Sequence, residues 1–218
     1  MNIAYFQRGS LVNYPPYISC VVFTQGCNLQ CPYCYNKELI PHRRGKIIEN
    51  DVISYLKTVE FPPDALVITG GEPTIQHNLL DFVRDVKKTG LKVKIDTNGL
   101  NPEMIEKILP FIDYVALDLK TIFDNYKNLG CKIPNPYQLW KETLNLILKS
   151  KKSFEIRTTL VKPIILPHHF KELKNIVKDY PYFLQNYRKI DNNNNLEEFN
   201  ENEIEIVKTI LERNIIIR

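Results

Sequence analysis

Short apolar runs alternate with helical apolar stripes along most of the chain, and no other pattern in it restricts the fold as strongly. The runs are strand-sized and rich in β-branched residues, and they lie at Ile18–Thr24, Ala65–Thr69, Lys92–Asp96, Tyr114–Leu119, Phe154–Thr159 and Tyr182–Gln185. Apolar residues at helical spacing recur at 52–59, 79–86, 104–109, 137–148, 170–177 and 204–211. Such units in series imply parallel strands joined by right-handed crossovers. The pattern predicts an α/β fold, a partial (β/α)6 TIM-like barrel, with a doubly wound open sheet as the alternative.

The whole chain of 218 residues is expected to form a single domain. Its core is expected at about 18–190, followed at 191–218 by an acidic, Asn-rich loop and a final helix. Six acidic residues and no Lys or Arg lie between Asp191 and Glu205, which is typical of a solvated, flexible segment.

Charge and hydropathy exclude several classes of partner. The net charge of +4 is mild and the lysines are dispersed, so we expect no nucleic-acid partner. The N-terminal sequence lacks the basic-then-apolar layout of a signal peptide, and no apolar run approaches the roughly 18–20 residues that span a membrane. We therefore expect a cytoplasmic protein without a membrane partner.

The five cysteines include three with the spacing C-x3-C-x2-C, which are Cys27, Cys31 and Cys34. Three thiolates on one short loop can hold three irons of a cubane cluster and leave the fourth iron open for a substrate. A structural zinc site, with His42 as its fourth ligand, is the alternative, whereas an electron-carrying cluster needs a fourth cysteine. Cys20 is expected in the core of a strand, and Cys131 outside any site.

This loop, with the aromatic Tyr33 before the last cysteine, resembles the signature of the radical S-adenosylmethionine (radical SAM) superfamily. The resemblance implies the partial barrel of that superfamily, a [4Fe–4S] cluster on the three cysteines and S-adenosylmethionine on the open iron. It also implies reductive cleavage of the sulfonium C–S bond to a 5′-deoxyadenosyl radical, and places Tyr33 among the cofactor-binding residues.

Polar segments follow the later strands, where a barrel of parallel strands carries its chemistry. Each is also typical of an ordinary turn or surface ion pair when taken alone. These segments are Gly70-Gly71-Glu72-Pro73, Asp96-Thr97-Asn98-Gly99, Asp118-Leu119-Lys120, Arg157-Thr158-Thr159 and Gln185-Asn186-Tyr187-Arg188.

The same resemblance implies roles for these segments. Gly70, Gly71 and Glu72 match a GGEP motif that binds the methionine ammonium group. Asp96 and Lys120 match residues that contact the methionine portion, and Asn98 and Arg157 are further cofactor-binding residues. Asp96, Thr97 and Asp118 match residues that hold a monovalent cation, which would relieve repulsion between the two carboxylates. Arg188 stands where some family members have a histidine, and His168 and His169 are expected to cap a helix or face solvent.

The sequence is most similar to glycyl-radical-enzyme activases, and among them to the activating proteins of anaerobic ribonucleoside-triphosphate reductase, through TQGCNLQCPYC, DTNG, DYVALDLK, EIRTTLV and FLQNYR. The resemblance implies hydrogen abstraction from a glycine of a partner glycyl radical enzyme, with flavodoxin or ferredoxin as electron donor. The alternatives are a small-molecule enzyme such as 7-carboxy-7-deazaguanine synthase and, from another class, a non-catalytic zinc-binding interaction module.

Overall fold

The computed structural model describes residues 1–189, 195–212 and 216–218, so the Asn-rich stretch of the predicted loop at 191–194 lies outside the described residues. The described strands are β1 (Ile3–Ser10), β2 (Ser19–Thr24), β3 (Ala65–Gly70), β4 (Lys92–Thr97), β5 (Tyr114–Asp118), β6 (Ser153–Lys162), β7 (Tyr182–Asn186), β8 (Glu197–Glu198) and β9 (Ile216–Ile217). The described α-helices are α1 (Glu49–Thr58), α2 (Leu79–Lys87), α3 (Pro102–Ile108), α4 (Pro136–Ser150), α5 (Phe170–Val177) and α6 (Glu201–Leu211). None of the described helices is both long and apolar enough to cross a bilayer.

The strands β2 to β7 lie side by side in chain order, and each is parallel to the next. Successive right-handed crossovers in one direction place the intervening helices on one face of the sheet, as in a barrel. A doubly wound sheet reverses its strand order at a switch point, and the described order has no such reversal. The structure therefore confirms the predicted partial TIM-like barrel over the doubly wound alternative.

The two faces of the sheet differ in polarity. The face under the helices carries the main core, where Val22, Ile68 and Ile95 are fully buried with Phe82 and Trp140 from the helices. The opposite face carries a small apolar cluster of Tyr14, Val21, Ala65 and Val67. This second face, opposite the helices, also holds charged side chains of β4 and β6, and these extend toward the carboxyl ends of the strands.

Three strands were missed by the sequence-based prediction. β1 pairs antiparallel to β2, β8 pairs antiparallel to β6, and β9 pairs parallel to β7. Two of them are only two residues long, and β1 lies in the first 17 residues, which follow no β-then-α pattern. The remaining elements differ from prediction mainly at their ends. At the start of α3 the Asn101 side chain caps the helix by accepting a hydrogen bond from Met104 N.

Candidate cluster and cofactor site

One cavity at the carboxyl ends of β2 to β6 brings together the residues singled out in the sequence. Because these strands are parallel and neighbouring, the segments that follow them converge on one edge of the sheet. Their roles toward a cofactor stay predictions, but their convergence is a property of the fold. The predicted residues that line this cavity are Cys27, Cys31, Tyr33, Cys34, Gly70, Gly71, Glu72, Asp96, Thr97, Asn98, Asp118, Lys120 and Arg157.

The loop that carries the three cysteines is fastened to the segment that follows it. The backbone N–H of Gly26 donates to Leu39 O at 2.8 Å, and that of Cys27 donates to Ile40 O at 3.1 Å. The Gln25 side chain donates to the carbonyls of Glu38 and Pro41, at 2.9 and 2.8 Å. These bonds hold the loop in place beside the strands without using the thiols, which stay directed at the cavity.

The cysteine thiols are the soft donors of the cavity. Burial raises the pKa of the Cys27 thiol to about 12 and raises that of Cys31, so both thiols need a nearby cation to ionise at neutral pH. Burial also raises the pKa of Tyr33 well above its usual value, which keeps this phenol protonated. Three convergent thiols are the donor set that iron–sulfur clusters use.

The zinc alternative needs His42 beside the three thiols, and the described lining of the cavity does not include His42. Among the described residues, no three His, Cys, Asp or Glu side chains are placed to hold a single metal ion. His42 Nε2 lies 3.1 Å from the carbonyl oxygen of Cys27, and its ring packs against Gly26. The histidine that this alternative invokes thus contacts the backbone of the cysteine loop.

The glycine pair at the end of β3 packs against the cysteine loop. Gly71 N donates to Thr24 O and Glu72 N donates to Gly26 O, both at 2.9 Å. A Cβ at Gly71 would overlap the Gly26 carbonyl oxygen and lie 2.7 Å from the Gly26 carbonyl carbon. Gly70 has φ +109°, a conformation that favours glycine. The glycines are therefore required for close approach of two backbones.

Glu72 is a buried connector between the segments after β3 and β4. Its Oε1 accepts hydrogen bonds from the Thr97 hydroxyl at 2.7 Å and from the Thr74 hydroxyl and N–H at 2.6 and 3.0 Å. Its Oε2 accepts from Asn98 N at 2.8 Å. Burial raises the pKa of this carboxyl, and the four hydrogen bonds oppose that rise. Glu72 therefore fixes Thr97 and Asn98 from within the protein, a role that its motif alone does not reveal.

Glu72→Ala is expected to lower the free energy of unfolding by about 3 kcal/mol, because it leaves buried N–H and O–H donors unpaired. Glu72→Gln keeps one carbonyl oxygen and is expected to cost about 1 kcal/mol. The exposed Glu106→Ala serves as control, with a change below about 0.5 kcal/mol. Denaturant unfolding of the three variants measures these differences, and an alanine variant as stable as wild type would exclude the connector role.

Charged side chains from three strands meet on the other side of the cavity. Arg157 Nε donates to Asp118 Oδ1 at 2.8 Å, and Arg157 Nη1 lies 3.4 Å from Asp96 Oδ2. Lys120 Nζ donates to Asp118 Oδ2 at 3.0 Å. The guanidinium thus bridges the two carboxylates whose repulsion motivated the predicted cation, and the Thr97 hydroxyl is turned toward Glu72.

The charges in this group stabilise one another. Burial alone would raise the pKa of Asp118, but Arg157 and Lys120 more than reverse this and hold it below its usual value. Burial likewise lowers the pKa of Lys120, and Asp118 more than reverses that effect, so Lys120 stays protonated. Asp96 Oδ1 differs, because this buried oxygen accepts no hydrogen bond within the described part of the chain, although Lys94 Nζ lies 3.5 Å from it. The Asp96 carboxylate thus lies near two cationic groups of the protein, Lys94 and Arg157.

Several supporting residues carried no signal in the sequence. The Asn28 side chain accepts from Asn98 Nδ2 at 2.7 Å, Tyr126 OH accepts from Lys120 N at 3.3 Å, and Trp140 Nε1 donates to Asp118 O at 3.1 Å. Only the tertiary contacts reveal these roles, since Tyr126 and Trp140 look like ordinary core residues in the sequence.

The remaining candidate residues lie away from the cavity. Cys20 is fully buried in β2 as expected, and Cys131 does not line the cavity. His169 Nδ1 accepts from Leu166 N at 3.1 Å, which confirms its capping role, and His168 is exposed. Arg188 is exposed, and its backbone hydrogen-bonds the Tyr35 hydroxyl.

Comparison with known proteins identifies the family of this chain. A Methanocaldococcus jannaschii protein, provisionally named a glycyl-radical enzyme activating enzyme, is 37% identical over 191 residues, covering 84% of this chain and 78% of that protein. The pyruvate formate-lyase-activating enzyme of Clostridium pasteurianum is 28% identical over 190 residues, covering 81% of this chain and 74% of that enzyme. The chain is thus similar to glycyl-radical-enzyme activating enzymes.

A solved structure shares the fold. The crystal structure of Streptococcus suis SuiB bound to S-adenosylmethionine aligns with 89% of this chain and 48% of its own, with a TM-score of 0.66 and 18% identity. The family model described as the Radical SAM superfamily matches residues 21–180. This chain therefore belongs to the radical SAM superfamily of enzymes.

Proposed function

We propose that this chain is a glycyl-radical-enzyme activating enzyme whose partner is an anaerobic ribonucleotide reductase. The observation that supports it most is the single cavity that joins three cysteine thiols to the Asp96, Asp118, Lys120 and Arg157 group. In this cavity the three thiols, which suit an iron–sulfur cluster, lie next to the charged group, which suits a zwitterionic ligand such as the methionine portion of S-adenosylmethionine.

In this proposal Cys27, Cys31 and Cys34 hold a [4Fe–4S] cluster and leave one iron free of protein ligands. The cluster, once bound and reduced, supplies the electron that splits S-adenosylmethionine into methionine and a 5′-deoxyadenosyl radical. Asp96 lines the cavity and is proposed to bind the ammonium group, and Lys120 and Arg157 supply positive charge for a carboxylate. Glu72 holds the Thr97–Asn98 segment in place.

Other predicted features remain part of this proposal. A monovalent cation is proposed to bind Asp96, Thr97 and Asp118. The Arg157 guanidinium already pairs with both of these carboxylates. Gly70, Gly71, Tyr33 and Asn98 line the cavity and are proposed to contact the cofactor. The single-domain organisation, with its core at about 18–190, also stays a prediction.

The choice of partner rests on the relatives and on the motif resemblance. The two relatives are named as activating enzymes and match more than four fifths of this chain, which favours a protein substrate over a small molecule. The reductase itself is favoured by the segments TQGCNLQCPYC, DTNG and DYVALDLK.

The proposal is tested by incubating reconstituted protein with S-adenosylmethionine, a reductant and either anaerobic ribonucleotide reductase or pyruvate formate-lyase, without oxygen. We expect a glycyl signal in electron paramagnetic resonance when the wild-type reductase is the partner. Replacement of the target glycine by alanine is the control and should remove the signal. A signal only with pyruvate formate-lyase would show that the partner is that enzyme and not the reductase. Signals with neither enzyme, while 5′-deoxyadenosine is still released, would favour a small-molecule substrate such as that of 7-carboxy-7-deazaguanine synthase.

A further inference from the structure

The segment at 39–42 connects the protein surface directly to the cysteine loop. Leu39 and Ile40 accept backbone hydrogen bonds from Gly26 and Cys27, and Pro41 O accepts one from the Gln25 side chain. His42 is exposed, yet its ring packs on Gly26 and its Nε2 lies 3.1 Å from Cys27 O. A molecule bound on the surface at residues 39–42 would therefore be separated from Cys27, a proposed cluster ligand, only by the His42 side chain.

The residues that continue this segment form a basic patch, defined here as Arg43, Arg44 and Lys46. All three are exposed, no acidic residue lies among residues 41–46, and none of the three forms an ion pair within the described part of the chain. The whole chain carries a net charge of only +4, so three unpaired positive charges in four residues are a local concentration. The nearest acid in the sequence on the N-terminal side is Glu38, which is exposed and accepts from Arg43 through its backbone carbonyl at 3.0 Å.

The basic patch borders an open groove beside the cysteine loop. Arg44 and Lys46 line it, together with the exposed Ile48. Glu49, the acidic residue in the groove lining, is paired with the N-terminal ammonium of Met1, and Arg44 and Lys46 have no acidic partner among the described residues. Gln76 also lines the groove and donates to Gln25 O at 2.9 Å, which ties the groove wall to the loop that bears the cysteines.

We propose that the basic patch and this groove are the docking surface for a small acidic electron-carrier protein that reduces the cluster. The inference rests on the proposed function, because reductive cleavage consumes one electron per S-adenosylmethionine. The carrier loses one electron and the cluster gains it. Electron transfer requires close approach to the cluster, and the patch directly follows His42, whose Nε2 lies 3.1 Å from Cys27 O. Complementary charge accelerates and orients such an encounter.

The test uses an acidic bacterial flavodoxin as the probe and compares wild type with Arg43→Gln/Arg44→Gln. The binding constant of oxidised flavodoxin is measured on the protein without cluster, at low and at high salt. We expect the variant to bind about 10-fold more weakly at low salt, and the difference to shrink at high salt. Lys149→Gln/Lys171→Gln is the matched control, because it removes two exposed charges from α4 and α5 and is expected to bind as wild type does.

A second measurement follows bleaching of the reconstituted cluster after rapid mixing. Reduction by reduced flavodoxin is expected to be about 10-fold slower in the Arg43→Gln/Arg44→Gln variant, whereas reduction by dithionite is expected to be unchanged. Equal binding and equal flavodoxin-driven rates in variant and wild type would overturn the docking surface, as would an equal loss in the control. Normal reduction by flavodoxin without 5′-deoxyadenosine release would instead refute the proposed function and leave the surface intact.

Discussion

Replacing Cys31 by alanine is expected to reduce release of 5′-deoxyadenosine to the background seen without protein. The physical reason is that Cys31 supplies one of three thiols in a cavity where no fourth cysteine is found among the described lining residues. With two thiols a cubane cluster loses a ligand that no neighbour replaces. Iron and sulfide content after anaerobic reconstitution and chromatographic detection of 5′-deoxyadenosine measure both parts of the effect.

Cys131→Ala is the matched control for this experiment. Cys131 is half-buried and does not line the cavity, so its loss should leave iron content and product release at wild-type levels. The free energy of unfolding of Cys31→Ala without cluster should stay within about 1 kcal/mol of wild type, since only one small thiol is removed. Wild-type release from Cys31→Ala would remove this residue from the site.

Gly71→Ala is expected to destabilise the protein without cluster by about 3 kcal/mol and to prevent stable cluster assembly. The added methyl group would overlap the backbone carbonyl of Gly26, and backbone cannot move aside as the end of a flexible side chain can. The Gly26 carbonyl also accepts the hydrogen bond from Glu72 N, so displacement disturbs the loop and the strand end together. Denaturant unfolding and iron analysis of the reconstituted variant measure the two effects.

Gly9→Ala is the control for added bulk at a glycine. No atom lies within 4 Å of a Cβ built at Gly9, and the unfolding free energy should change by less than about 0.5 kcal/mol. If Gly71→Ala were as stable as this control and assembled a full cluster, the close approach of the two backbones would not be a requirement of the fold.

The series of strands and helices was predictable because it depends on the local spacing of apolar residues along the chain. The position of the site followed from one further rule, that parallel strands present their carboxyl ends at the same edge. β1 was not predictable in this way, because its antiparallel pairing with β2 depends on contacts between segments rather than on a β-then-α pattern. The helix cap at Asn101 was predictable, since capping is a local interaction.

The roles of individual site residues were less predictable than their location. Asp118 and Arg157 are register partners on β5 and β6, and this pairing places the guanidinium between Asp118 and Asp96. Sequence motifs give no register, so the same residues suggested an uncompensated carboxylate pair. Glu72 shows the same limit, because two of its four hydrogen bonds come from Thr97 and Asn98, which only the folded chain brings close to it.

Whether Cys27, Cys31 and Cys34 hold a cluster that cleaves S-adenosylmethionine is tested most directly by metal and sulfide analysis of the anaerobically reconstituted protein, followed by addition of S-adenosylmethionine under reducing conditions. We expect a [4Fe–4S] cluster whose electron paramagnetic resonance spectrum changes when S-adenosylmethionine is added, with release of 5′-deoxyadenosine. One zinc and no iron per chain, or a cluster whose spectrum is indifferent to S-adenosylmethionine, would contradict it.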